Sequence, residues 1–235
     1  VARRAVLFDL DDTLYDHTHA IRAALHDVAA AAPALLRKGF EALFVEYDKA
    51  LDDVHPRVVA GELTFAQARV LRYARLLKWC GDPQSDPEQL AQIQAAAYRK
   101  HERLVEHAKP LLEALRALAL RLGIVTNSVR HEQQEKLKRL GVDGYFHSLT
   151  VSGDHQIAKP DVRLFAVALA ALGVDAHEAV FVGDRVHIDV HGALAAGMRA
   201  VWFDRGWRDE GLELSPDARR LTTLQPQLAL PILLD

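Results

Sequence analysis

The sequence predicts an α/β protein in which a parallel-sheet core is interrupted, after its first strand, by an inserted helical cap. Three observations carry this expectation. Short apolar runs rich in β-branched residues recur along the chain, helical patterns ending in glycine lie between the later runs, and residues 17–107 contain no convincing strand. Continuous rather than alternating apolar runs are expected of strands buried on both faces, which is the condition of a parallel sheet covered by helices.

In chain order, "AVLFD" (5–9) is the first such run. Amphipathic patterns follow in "EALFVEYDKAL", "FAQARVLRYARLLKW" and "EQLAQIQAAAYRKHERLVEH", while "DVAAAAPALL" reads as helix interrupted at Pro33. "KPLLEALRALALRLG" (109–123) resumes the α/β rhythm, with Pro110 placed to begin a helix. It leads into the strand "LGIVT" (122–126) and the helix "RHEQQEKLKRLG" (130–141). A weaker strand, "SLTVS" (148–152), precedes the helix "DVRLFAVALAALG" (161–173). The strand "AVFVGD" (179–184), the helix "HIDVHGALAAG" (187–197) and the strand "RAVWFD" (199–204) continue the alternation. From the tail "RRLTTLQPQLALPILLD" a short edge strand and a final helix are expected. Strands alternating with crossover helices define a Rossmann-like core of residues 1–16 and 108–235, with the cap spanning 17–107.

A chain of 235 residues, half of them hydrophobic, has enough apolar surface for a sizeable core. Its net charge of −3 provides no global field for nucleic acid or for an anionic membrane, so an anionic ligand must be held locally. Cys80 is the single cysteine and has no intramolecular disulfide partner, and no apolar stretch is long enough to span a bilayer. A soluble cytoplasmic protein is expected, with no membrane or nucleic-acid partner. The basic start "VARRAVLFDL" turns acidic too soon for a secretory signal.

Ligands of open parallel sheets bind beyond the carboxyl ends of the strands. The polar residues collect at those ends: Asp9 to Asp12, "TNS" (126–128), "AKPD" (158–161) and "GDRVHID" (183–189). Each residue type has a use if the ligand is a phosphate ester. One carboxylate can attack phosphorus, and a second can protonate the leaving alkoxide and later deprotonate water. An anion attacking an anion needs positive charge between them, which Mg²⁺ and a lysine can supply. In a regular strand Asp9 and Asp11 would point to the same side, a spacing that suits a nucleophile and its acid partner. Asp184 and Asp189 could complete a metal site, with Gly183 allowing close backbone approach. Thr126 and Asn127 offer a hydroxyl, an amide and backbone N–H groups, and Lys159 the cation. Pro160 and Asp161 read as the start and cap of a helix.

In this order and after these strands, "DLDDT", "TNS", "KP" and "GDRVHID" resemble the four motifs of the haloacid dehalogenase (HAD)-like hydrolases. The position of the helical insertion resembles the C1-cap phosphatases of that superfamily. The resemblance implies Asp9 as nucleophile, Asp11 as general acid/base, and Thr126 with Lys159 holding the phosphoryl group. It further implies magnesium bound by the Asp9 carboxylate, the Asp11 carbonyl and Asp184, with Asp189 a ligand or close by. True dehalogenases lack an acid two residues after the nucleophile, so Asp11 disfavours dehalogenation. "DLDDTL" differs from the "DxDGV" of the related mutases and favours hydrolysis. The implied activity is magnesium-dependent hydrolysis of a small phosphorylated metabolite. Two alternatives are a phosphosugar mutase and a catalytically idle binding domain of the same fold.

The remaining features have plainer readings. His187 and His191 stand at i, i+4, a zinc-compatible spacing, but without a third ligand in the pattern they read as packing or solvated histidines. Arg69, Arg72 and Arg75 read as a solvated basic helix face, Trp202 and Trp207 as packing residues, and Asp12 as a solvent-side or turn residue.

Overall fold

The computed structural model describes residues 3–206 and 214–235; Trp207 lies outside the described residues. The chain divides into two compact units, one of Val1–Asp16 with Leu104–Asp235 and one of His17–Arg103.

The first unit is built on one six-stranded sheet, all parallel, in the order β3-β2-β1-β4-β5-β6. Its strands are β1 (Ala5–Phe8), β2 (Arg121–Thr126), β3 (Ser148–Val151), β4 (Ala179–Gly183), β5 (Arg199–Phe203) and β6 (Ala218–Leu221). Both the weaker candidate at 148–152 and the edge strand expected of the tail are present. All four residues of β1 are fully buried, which is why "AVLF" carries no alternation: helices cover both of its faces.

The second unit is helical: α1 (His17–Ala31), α2 (Phe40–Val59), α3 (Phe65–Cys80) and α4 (Pro87–Lys100), with a 3₁₀ turn at Pro33–Lys38 where the proline ends α1. Thr64 and Gln67 form a reciprocal capping box at the start of α3, and the Asp86 side chain accepts from Glu88 N at the start of α4. Leu25, Leu43, Tyr47, Tyr73 and Leu76 form its core. Arg72 departs from the expected solvated face. It is 5 % exposed, donating to Tyr47 Oη at 2.7 Å and to Ala68 O at 3.3 Å, because that turn of α3 faces α2 and the phenol gives the guanidinium a buried acceptor.

Returning to the sheet unit, the helices are α5 (Ala108–Ala117), α6 (Arg130–Arg139), the single turn α7 (Ser152–His155), α8 (Val162–Leu172), α9 (His191–Ala195) and α10 (Pro226–Leu234). Pro110 falls in the first turn of α5 rather than at its first residue. Pro160 precedes α8 altogether, and Asp161 is its cap, accepting from Arg163 N at 3.0 Å. The helix expected over 187–197 is wound as a π turn at Val186–Val190 before α9. No helix among the described residues is long and apolar enough to cross a membrane.

Leu7, Val125, Phe181 and Ala200 of the sheet pack with Leu164, Phe165 and Ala168 of α8 and with Val190 and Ala193. The rings of Phe165 and Phe181 meet edge to face at 5.1 Å. Gly192 lets α9 approach this layer. A Cβ there would lie 2.7 Å from Phe165 Cε2 and 3.0 Å from Pro160 Cα, so the side chain of any other residue must displace α8 or the segment carrying Lys159. Gly192→Ala is expected to destabilise the protein by about 1–3 kcal/mol, as overpacked cores do. Urea unfolding checks this, and an unchanged midpoint would contradict it.

Candidate active site

In the strand order the chain runs outward from β1 through β2 to β3, then returns beside β1 and runs outward through β4, β5 and β6. The crevice between β1 and β4 is therefore the topological switch point, where open α/β sheets bind ligands. Register aligns Phe8 with Val182, and Asp9 N donates to Val182 O at 2.9 Å, so the chain leaves the two strands at one level. Asp9 follows β1 directly and Asp184 follows β4.

Asp9, Asp184 and Asp189 are all buried and offer carboxylate oxygens within 4.8 Å of one another. Lys159 enters from the segment before α8, 4 % exposed, and donates to Asp9 Oδ1 at 2.6 Å and Asp189 Oδ1 at 2.7 Å. Asp189 Oδ2 also accepts from Arg185 N at 3.1 Å. The π turn and Gly183 make this possible: a Cβ on Gly183 would overlap the Asp189 carboxyl. Thr13 Oγ1 lies 3.4 Å from Asp9 Oδ2.

Burial pushes the Asp9 carboxyl up to about 7; Lys159 opposes the shift and the charge of Asp189 adds to it. The ammonium of Lys159, although disfavoured by burial, is held above its ordinary value by Asp189 and Asp9. Two of the three buried carboxylates, those of Asp9 and Asp189, thus share one buried ammonium. That imbalance and an all-oxygen donor set fit a divalent cation, for which Asp9, Asp184 and Asp189 could supply the ligands. Among the described residues this is the one cluster of candidate metal ligands; His187 and His191 instead meet ring to ring at 5.9 Å.

The structure separates Asp11 from that knot. The strand ends at Phe8, and Asp11 bridges to Tyr15 within a tight turn in which Leu10 O accepts from Thr13, Leu14 and Tyr15. Its carboxylate meets α6, accepting from Lys136 Nζ at 2.5 Å and Gln133 Nε2 at 3.1 Å. Thr126 is buried at the end of β2, its hydroxyl 3.4 Å from Gln133 Nε2. Asn127, expected to offer its amide to phosphoryl oxygens, instead accepts from Lys159 N at 2.8 Å and donates to Lys159 O at 3.0 Å. Its side chain places Lys159, because both faces of the amide match the peptide groups of that residue. Asp12 is indeed a turn residue, with φ of 63°, but it is buried rather than solvent-side: Arg205 reaches both Asp12 at 3.4 Å and Asp16 at 2.8 Å.

Gln133 and Lys136 went unnoticed in the sequence. The available signal was the stripe 133, 136 and 137 of a very polar helix, in which two inward positions carry Gln and Lys.

Residues 3–197 match the family model described as haloacid dehalogenase-like hydrolase. The chain is 35% identical to a phosphoserine phosphatase of Thermus thermophilus, over 92% of this chain and 94% of that protein. It is 32% identical to a glyceraldehyde 3-phosphate phosphatase of Methanopyrus kandleri, over 86% and 84% respectively. The fold is similar to that of YfnB, a HAD hydrolase of Bacillus subtilis bound to magnesium, with a TM-score of 0.75, 22% identity and coverage of 98% and 99%. The chain belongs to the haloacid dehalogenase-like hydrolases.

Because the fold raises the Asp9 value, it holds that proton more tightly than the unfolded chain does. The resulting stability is complete below the unfolded value, near ~4, and is lost as pH rises through about 7. A cation bound among the carboxylates must displace the same proton. Adding a divalent cation such as magnesium is expected to raise the melting temperature more at about pH 8 than at about pH 5.5. Thermal unfolding checks this, and equal stabilisation at both pH values would contradict it.

Proposed function

We propose that the protein is a magnesium-dependent phosphatase that hydrolyses a small phosphomonoester through an aspartyl-phosphate on Asp9. The observation that carries this reading is the meeting of Asp9, Asp184 and Asp189 with one buried lysine at the switch point of the sheet. Phosphatase relatives at 32% and 35% identity over most of their length support the reaction class, and their phosphorylated substrates support a small metabolite as ligand.

Asp9, Asp184 and Asp189 would hold magnesium, which supplies positive charge between the anionic nucleophile and the anionic ester. An Asp9 carboxylate oxygen attacks phosphorus, the bond from phosphorus to the ester oxygen breaks, and Asp11 gives its proton to the departing alkoxide. Water then attacks the aspartyl-phosphate, Asp11 takes a proton from that water, and the phosphorus bond to Asp9 breaks, releasing inorganic phosphate and restoring the carboxylate. Lys159 stays on Asp9 and Asp189 as the fixed cation, and Thr126 and backbone N–H groups of the 126–128 turn face phosphoryl oxygens. Asn127 keeps Lys159 in register through its two backbone hydrogen bonds.

Release of inorganic phosphate from p-nitrophenyl phosphate and from a panel of sugar and amino-acid phosphates tests the proposal. Activity is expected with magnesium, to disappear with EDTA, and to fall at least about 10³-fold in Asp9→Asn, as for removal of a catalytic nucleophile. Undiminished turnover by Asp9→Asn would remove the mechanism, and an isomerised ester without free phosphate would indicate a mutase.

A further inference from the structure

The peptide joining Asp184 to Arg185 is held at both of its polar groups. Its carbonyl, Asp184 O, accepts from Trp202 Nε1 at 2.9 Å, and its N–H, on Arg185, donates to Asp189 Oδ2 at 3.1 Å. This one peptide therefore joins two of the three candidate cation ligands: it follows Asp184 directly, and it restrains the Asp189 carboxylate. The carbonyl and N–H of a planar peptide turn together, so a donor fixed on the oxygen keeps the N–H on Asp189. That donor is itself held. Trp202 stands beside Gly183 in the register of β5 with β4, and its half-buried ring packs against the sheet core. Arg220 of β6 lies over the indole, 5.4 Å from the ring centre, and is anchored on Asp204, its Nε donating to Oδ2 at 2.8 Å. An indole carries one N–H donor that a phenyl ring lacks, and here it is directed at the peptide beside a candidate ligand.

We propose that Trp202 is a positioning residue for the cation site: by holding the 184–185 peptide it sets the direction of the Asp184 and Asp189 carboxylates, and with it the affinity of the site for magnesium. This rests on the reading of Asp9, Asp184 and Asp189 as ligands of a divalent cation. The outer strands β5 and β6, which contribute none of these three residues, then act on the site through one hydrogen bond. Loss of the indole donor leaves every carboxylate in the chain but loosens two of them. Its mark falls on the magnesium concentration the site requires, and turnover of the filled site is largely kept.

Calorimetric titration with magnesium alone, without substrate, reads that affinity directly. In Trp202→Phe, which keeps an aromatic ring and removes the donor, the Kd for magnesium is expected to rise about 10-fold, the lower end of the cost of removing a group that orients metal ligands. In phosphate release from p-nitrophenyl phosphate, the magnesium concentration for half-maximal activity is expected to rise by a similar factor, while kcat at saturating magnesium changes by less than about threefold. A residue that serves packing alone lowers the melting temperature when replaced and leaves the magnesium Kd where it was. A Kd within about twofold of the parent's, whatever the melting temperature, would therefore overturn the inference. If Trp202→Phe does not fold, the parent decides. The Trp202 indole N–H resonance, assigned by comparison with Trp79→Phe and Trp207→Phe, is expected to shift as magnesium is added while that of Trp79 stays in place, and an unmoved Trp202 signal would overturn the inference. A parent that binds no magnesium would overturn this inference together with the cation reading. A parent that binds it, matched by an equally tight variant, would overturn this inference alone.

Discussion

The buried contact of Lys159 with Asp9 and Asp189 is the constraint on which the site depends. Charges removed from water at this depth cost several kcal/mol each unless their partners are fixed in good geometry. Much of the surrounding sequence is explained by that requirement. Asn127 spends its amide on the Lys159 backbone, Gly192 leaves room for Pro160, and Gly183 leaves room for Asp189. The parallel register of β1 with β4 delivers Asp9 and Asp184 at one level of the sheet. Even so, one ammonium stands against three carboxylates, and the raised Asp9 value records chiefly the burial of that group, to which the charge of Asp189 adds.

Around that knot the chain keeps its other charges apart. Asp11 is tied to α6, while Asp12 and Asp16 are tied to Arg205 beyond β5. Four aspartates within eight residues therefore do not repel one another into solvent; they are distributed among three cations from three parts of the core unit. The loop after β1 is shaped by these long-range pairs together with its own tight turn, in which Asp12 lies in the left-handed region and Leu10 O accepts from three backbone N–H groups.

The fold was legible because its signals are local. Runs such as "AVLF" and "AVFVG" are apolar without interruption, and glycine marks the end of α8 at Gly173. The carboxylates and Lys159 were legible as residue types at strand ends. What the sequence concealed was direction. Regular alternation would have put Asp11 beside Asp9, but the strand stops before either residue and the turn sends Asp11 to α6. Asn127 is polar at a strand end like its neighbours, and only the segment brought opposite it shows that its partner is backbone. Arg72 sits at a three-residue spacing with two other arginines, and nothing local reveals that Tyr47, on another helix, accepts from it inside the core. Such contacts depend on pairs separated by 25 to 125 positions, which periodicity does not encode.

The most direct test of this balance is the thermal stability of Lys159→Met with and without magnesium. Removing the shared cation leaves three buried carboxylates facing one another, and loss of one partner from a buried ion pair costs about 3–5 kcal/mol. The account predicts a markedly lower melting temperature for the metal-free variant and a larger magnesium-induced rise than in the parent. A variant that melts with the parent and gains no more from magnesium would contradict it.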